Sequence, residues 1–154
     1  MNAPRLIEAD DITGGFNCGV PVLNEWLKHR AIPNHLSGAS RCYVICRDKI
    51  VLGFYCLSAG AVTNASATGS IRRNMPDPIP AIVLGRLAVD LSAKAQGLGA
   101  DLLLHAIEQT QAAAQIAGVR ALLVHAKDKA SADFYRHFGF VPSTLDEMTL
   151  MLRV

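Results

Sequence analysis

Hydrophobic positions follow two different periods along this chain. From Val20 to Arg30, residues Val22, Leu23, Trp26 and Leu27 recur at helical spacing, which predicts a short amphipathic helix. Pro33 limits it, and a second short helix is expected around 34–37. Between Arg41 and Arg47 the period changes to two. Tyr43 and Ile45 point one way and Cys42, Val44 and Cys46 the other, which predicts a strand. Arg47-Asp48-Lys49 is a tight polar turn into a second strand over 50–59, so the pair predicts a hairpin. Residues 64–80 are rich in Ala, Ser, Thr, Gly and Pro. Pro76, Pro78 and Pro80 fall within five residues, which predicts a long loop without a regular element. Long ordered loops in small domains are often functional.

The second half is more regular. An apolar strand is expected over 81–89, then a polar connection over 90–96 that leads into glycines. Residues 99–117 give the best helix, with Leu103, Ile107, Thr110, Ala114 and Ala117 on one stripe and Gly118 as its stop. The stretch 119–125 is almost continuously apolar, as a central strand should be. A short helix over 129–137 ends at Gly139, and a last strand follows over 148–154. The start, 1–15, is loosely patterned. This order predicts an α/β fold with a mixed sheet, and 154 residues fit a single domain, 1–154.

Composition narrows the class. Hydrophobic residues make up 51% and charged residues 18%, which excludes a disordered chain. The longest nearly apolar run, 50–62, is too short to span a membrane and is broken by two glycines and a serine. No basic stretch and apolar run open the chain, so no secretory signal is expected. A net charge of +2 does not by itself argue for nucleic acid. Cys18, Cys42, Cys46 and Cys56 form no C-x-x-C pair and read as reduced core thiols, which points to a cytoplasmic protein. The five histidines lack metal-ligand spacing, so no metal is expected, and His125 reads as a satisfied core residue.

Two segments carry candidate chemistry. The first is Val89-Asp90-Leu91-Ser92-Ala93-Lys94-Ala95-Gln96-Gly97-Leu98-Gly99-Ala100, between a strand and the best helix. Free N–H groups at a helix start, the helix dipole and close-approach glycines suit a phosphate. The Walker and dinucleotide fingerprints are both absent. The second is Lys127-Asp128-Lys129-Ala130-Ser131-Ala132-Asp133-Phe134-Tyr135-Arg136-His137-Phe138-Gly139-Phe140. Its phenylalanines suit a core, and Tyr135 is either core or a proton donor.

Together these segments resemble the GNAT family of acetyl-CoA-dependent N-acetyltransferases, over about residues 41–154. Lys94-Ala95-Gln96-Gly97-Leu98-Gly99 is similar to the family's [QR]-x-x-G-x-[GA] loop, with lysine in place of Gln or Arg. Phe134-Tyr135 and Phe138-Gly139-Phe140 are similar to its F-Y-x-x-x-G-F helix, and Asp128 stands where many members have asparagine. The resemblance implies a mixed, mostly antiparallel central sheet flanked by helices. It implies that Lys94, Ala95, Gln96, Gly97, Leu98, Gly99 and Ala100 cradle the coenzyme A pyrophosphate. It places Leu87, Ala88 and Val89 along the pantetheine arm. Asp128, Ser131 and Phe134 are expected beside the coenzyme, and Tyr135 is expected as the catalytic acid.

A narrower resemblance covers nearly the whole chain. The loop Gly69-Ser70-Ile71-Arg72-Arg73-Asn74-Met75-Pro76-Asp77-Pro78, the segment Gly85-Arg86-Leu87-Ala88-Val89-Asp90 and the start Phe16-Asn17-Cys18-Gly19 are similar to GNAT toxins of bacterial toxin–antitoxin systems. That likeness implies a toxin that acetylates the α-amino group of aminoacyl-tRNA and blocks translation. It also implies a ribbon-helix-helix antitoxin, with operator DNA bound through it, and a toxin homodimer. For tRNA phosphates the candidate cations are Arg72, Arg73, Arg41, Arg86, Lys28 and Arg30, with Lys127 and Arg136 behind them; Arg72 and Arg73 lead because they sit on the unusual loop. No array of exposed aromatics accompanies them, so grip by charge is expected.

Leu84 to Val89 holds no carboxylate to serve as a base. An α-amine titrates near 7.7–8.0, against about 10.4 for lysine, so the missing base favours an α-amino acceptor. A phenol near 10 is about 1.5 units too weak an acid for a thiolate, which the thiolate's position at a helix terminus or a lowered phenol pKa would correct. The alternatives are a GNAT enzyme acting on a small or protein amine, and a co-repressor working with a DNA-binding antitoxin.

Overall fold

A computed structural model describes residues 3–154; Met1 and Asn2, at the head of the loosely patterned start, lie outside the described residues. The elements run β1 (Arg5–Leu6), α1 (Pro21–His29), α2 (Ala31–Ser37), β2 (Arg41–Arg47), β3 (Ile50–Val62), α3 (Gly69–Arg72), β4 (Ile79–Val89), a 3-10 turn (Leu91–Ala93), α4 (Leu98–Ile116), β5 (Ala121–His125), α5 (Lys129–His137), β6 (Val141–Pro142) and β7 (Thr149–Arg153). The strand order is β1-β2-β3-β4-β5-β7-β6. β4 and β5 are parallel, while β1–β2, β2–β3, β5–β7 and β6–β7 are antiparallel. The mixed, mostly antiparallel sheet is the one expected.

The backbone forms two units, each made of two stretches of chain. The first comprises residues up to Ser58 together with Gly85–Ala106. The β2–β3 hairpin pairs Arg41 with Leu57 and Cys42 with Cys56, and the register shifts between Ile45 and Cys46. Trp26 of α1 stacks on Phe54 at 5.9 Å, and Phe16 meets the same ring edge-on at 5.5 Å. All four cysteines are buried and unbridged, as expected of core thiols. Pro33 does not end a helix. It is the third residue of α2, where an N–H would have no intrahelical partner to lose.

The second unit comprises Ala59–Leu84 and Ile107–Val154. Its core gathers Val62, Ala67, Ile71, Ile79, Ala81, Ala121, Leu123 and Met151. The β4–β5 ladder runs from Ala81↔Ala121 to Leu84↔Val124. Both faces of β5 are covered over Ala121–Val124, but His125 at its end is exposed, contrary to its reading as a core residue.

Segment 64–80 is not wholly irregular either. It contains the single-turn helix α3, and β4 starts at Ile79 rather than 81. Pro80 is tolerated as the second residue of that strand because it contributes its carbonyl, which accepts the Arg120 N–H at 2.9 Å. The segment is tied down by Ser143 Oγ to Ser66 O at 2.7 Å, and by Asn64 N–H to Asp77 Oδ1 at 3.1 Å.

Candidate active site

In the first unit, the phosphate-binding candidate starts where β4 ends. Asp90 N–H donates to Leu52 O at 2.8 Å, which fixes the strand's exit. The Asp90 carboxylate accepts from Asn17 N–H at 2.7 Å and from the N–H and hydroxyl of Ser92. Burial acts to raise its pKa, but these hydrogen bonds prevail and hold it below the usual carboxylate range. The 3-10 turn then delivers Lys94, Ala95, Gln96 and Gly97, all exposed.

Ala95 and Gly97 both adopt left-handed backbone, at φ 69° and 77°. Such alternation curls successive N–H groups around a common concavity, the form of an anion nest. Leu98, 4% exposed, anchors the start of α4. The first bond there is Asp101 N–H to Gly97 O at 3.0 Å, so the N–H groups of Leu98, Gly99 and Ala100 precede the helical ladder. These residues fit a diphosphate without any metal. Among the described residues, no three His, Cys, Asp or Glu side chains are grouped to hold one.

Upstream, Leu87 and Val89 are half-buried while Ala88 faces the core, so the strand alternates as a pantetheine-lining strand would. Arg86 is left-handed at φ 61°, and its guanidinium lies 4.3 Å from the Trp26 ring centroid, a cation–π contact. Arg30 shares a shallow surface cavity with Trp26. Arg41 donates to His35 O at 2.9 Å. Two of the four cations expected to hold phosphate here, Arg86 and Arg41, thus already have protein partners, and Lys28 is half-buried.

In the second unit, Asp128 is the N-cap of α5 and accepts from Ser131 N–H at 2.8 Å. The Ser131 backbone hydrogen bond is the main cause of its lowered pKa. Asp128 and Ser131 therefore serve each other at the helix start. Phe134 is half-buried and meets Tyr135 and Phe138 edge-on. Phe140 is core, at 3% exposed.

Tyr135 is 7% exposed and packs against Phe140 at 5.6 Å. Burial pushes its phenol up to about 12, which overturns the lowered phenol pKa, one of the two expected remedies for the mismatch with the thiolate. The hydroxyl stays protonated across the physiological range. It is a donor and cannot act as a base. The shift also fixes a stability window. Below pH 10 the phenol is neutral both folded and unfolded, so nothing is lost. Between about 10 and 12 the unfolded chain ionises first, and folding stability should fall by up to about 3 kcal/mol. Denaturant titrations across this range should show a steeper fall in the wild type than in Tyr135→Phe, which keeps only the losses from other groups raised by burial, such as Tyr43 and Cys46.

Arg72 and Arg73 are exposed and in no ion pair among the described residues. A four-residue helix cannot satisfy its own last carbonyls. Arg120 does so from the residue just before β5, donating from Nε to Ile71 O at 3.1 Å and from Nη2 to Ser70 O at 3.0 Å and Arg73 O at 3.4 Å. The chain reading missed Arg120; its one signal was a cation opening an otherwise apolar strand.

Comparison with known proteins identifies the family. Residues 38–142 match the family model described as "Acetyltransferase (GNAT) domain". The "tRNA-acetylating toxin" of Mycobacterium tuberculosis (strain ATCC 25618 / H37Rv) is 50% identical over 152 residues, which cover 98% of this chain and 91% of the relative. The solved structure of AtaT complexed with acetyl-methionyl-tRNAfMet is 30% identical with a TM-score of 0.92, covering 98% of this chain and 94% of that one. A tyrosine-to-phenylalanine variant of the AtaT toxin, bound to the C-terminus of the antitoxin AtaR and acetyl-CoA, is 28% identical with a TM-score of 0.83, covering 98% and 92%. With this family model matched over most of its length and a relative 50% identical across nearly all of it, the chain belongs to the GNAT acetyltransferase family.

Proposed function

We propose that this chain, residues 1–154 serving as one acetyltransferase domain, is a toxin that moves an acetyl group from acetyl-CoA to the α-amino group of aminoacyl-tRNA and blocks translation. The observation that carries the reading is the 50% identity, across almost the whole chain, to a tRNA-acetylating toxin. The nest at Ala95–Gly97 and the free N–H groups of Leu98, Gly99 and Ala100 suit the coenzyme's diphosphate, with Lys94 adding charge. Leu87, Ala88 and Val89 offer the pantetheine a strand edge. Phe134 lines the α5 side, with Asp128 and Ser131 holding that helix's start.

As the amine attacks the thioester carbonyl, a C–N bond forms and the C–S bond breaks. Tyr135 offers its O–H to the departing sulfur. Arg72 and Arg73 supply the leading tRNA contact, with Arg41, Arg86, Lys28 and Arg30 as secondary cations. A cytoplasmic homodimer held in check by a ribbon-helix-helix antitoxin, itself bound to operator DNA, completes the reading. A small ribbon-helix-helix reading frame beside the coding sequence would support it.

Gly97→Ala tests the nest. Open space surrounds the position, so an added Cβ meets no atom and only the backbone is strained. Left-handed backbone costs an L-residue roughly 1–2 kcal/mol. Acetyl-CoA affinity should drop about tenfold by calorimetry, and an unchanged affinity would remove the loop from the site. The function itself is tested in a purified translation reaction charged with aminoacyl-tRNA. The protein should arrest it only when acetyl-CoA is present; arrest without acetyl-CoA would contradict the proposal.

A further inference from the structure

Helix α3 is a single turn, yet every backbone carbonyl from Thr68 to Arg73 has a protein donor. Thr68 O accepts the N–H groups of Ile71 and Arg72, at 3.2 and 2.9 Å, and Gly69 O accepts that of Arg73 at 3.1 Å. Arg72 O accepts the Met75 N–H at 3.2 Å. The remaining three, Ser70 O, Ile71 O and Arg73 O, are those that Arg120 takes. A single turn is unstable alone, because it fixes several residues for very few hydrogen bonds. This one is held from outside. Ile71, 2% exposed, belongs to the same core cluster as Ala121, the residue after Arg120. Upstream, Ser143 Oγ and the Thr144 N–H donate to Ser66 O at 2.7 and 3.3 Å.

Arg120 is itself a fixed point. Its N–H donates to Pro80 O at 2.9 Å, and its carbonyl accepts the Val154 N–H at 3.1 Å. Its Nε and Nη2 belong to one planar, rigid fork, so one side chain reaches carbonyls of three residues; a lysine ammonium is a single point. Among the described residues Arg120 forms no ion pair. The turn therefore gathers three cations, Arg72, Arg73 and Arg120, with the first two exposed. Like charges held this close repel one another, and an arriving polyanion relieves that repulsion.

We propose that Arg120 is the positioning residue of the tRNA contact: it holds α3 in the form that presents Arg72 and Arg73 together to phosphates, without binding phosphate itself. The inference rests on the assignment of that arginine pair to tRNA above. A turn fixed before tRNA arrives spares binding the cost of ordering it, which raises affinity without any added contact.

The test is filter binding of charged tRNA to the full chain over a salt series. Arg120→Met keeps the aliphatic stem and removes every donor. It should weaken binding about tenfold and lower the slope of log affinity against log salt by about 1–2, towards the Arg72→Ala, Arg73→Ala double variant. Acetyl-CoA affinity should stay unchanged by calorimetry. Arg120→Lys keeps the charge but not the fork, and should still weaken binding at least about threefold; it carries the test if Arg120→Met does not fold. Added to the double variant, either substitution should cost less than about twofold more, because the arginines it positions are gone. Wild-type tRNA affinity in either single variant would overturn the assignment. So would an undiminished loss in the double-variant background, which would mean that Arg120 grips phosphate directly or acts on stability alone. Wild-type binding by the double variant would instead sink the reading on which the inference rests.

Discussion

Replacing Tyr135 with phenylalanine should abolish most of the turnover, by about 10²–10⁴-fold, with acetyl-CoA binding retained. The ring packs against Phe134 and Phe140, and the substitution keeps those contacts. Only the hydroxyl is lost, and among the described residues it makes no hydrogen bond to protein, so no buried partner is orphaned. The phenol's pKa of about 12 sits some 3.5 units above an ordinary thiol, which makes complete proton transfer to a free thiolate uphill by roughly 5 kcal/mol. Tyr135 therefore works chiefly by directing an intact O–H at the sulfur as charge develops there, a preorganised donor in a dry setting. Single-turnover rates and acetyl-CoA calorimetry on the same variant check this. Wild-type rates would end the assignment, and lost coenzyme affinity would turn it into a packing role.

The second large effect concerns the arginine pair. Arg72→Ala with Arg73→Ala should weaken tRNA binding at least tenfold. It should also reduce the slope of log affinity against log salt by about 1.5–2, the share of two phosphate contacts. Both side chains are exposed and, among the described residues, in no ion pair, so stability should barely change. The surrounding backbone is fixed by Arg120, which holds the carbonyls of Ser70, Ile71 and Arg73. Arg86 and Arg41 make a useful contrast. One stacks on Trp26 and the other bonds His35 O, so their removal disturbs protein contacts as well as charge. Filter binding of the double variant over a salt series gives the measurement; an unchanged slope would place the tRNA elsewhere.

The chain disclosed its local chemistry well and its tertiary devices poorly. The β2–β3 hairpin, α4 and α5 were legible because period, turn residues and stops agree within each segment. The glycine loop was legible because only a few residue types permit its backbone, and Gly97 does adopt the left-handed form. Helix α3 was not legible: three prolines nearby argued against order, while the hydrogen bonds that hold it come from Arg120, 47–50 residues away in sequence. His125 was misread because an apolar run suggested a buried strand throughout. The ladder with β4 ends at Val124, one residue earlier, which leaves the imidazole at an exposed strand end. The raised pKa of Tyr135 was hidden for a similar reason, since desolvation depends on which rings the fold gathers around it.

The most direct test of acetyl transfer to aminoacyl-tRNA uses labelled acetyl-CoA with three acceptors: charged tRNA, the same tRNA uncharged, and free amino acids. Label should enter charged tRNA alone, be released with the aminoacyl group on mild alkaline hydrolysis of the ester, and vanish with Tyr135→Phe. Equal labelling of free amino acids, or transfer to protein lysines in preference to charged tRNA, would contradict it.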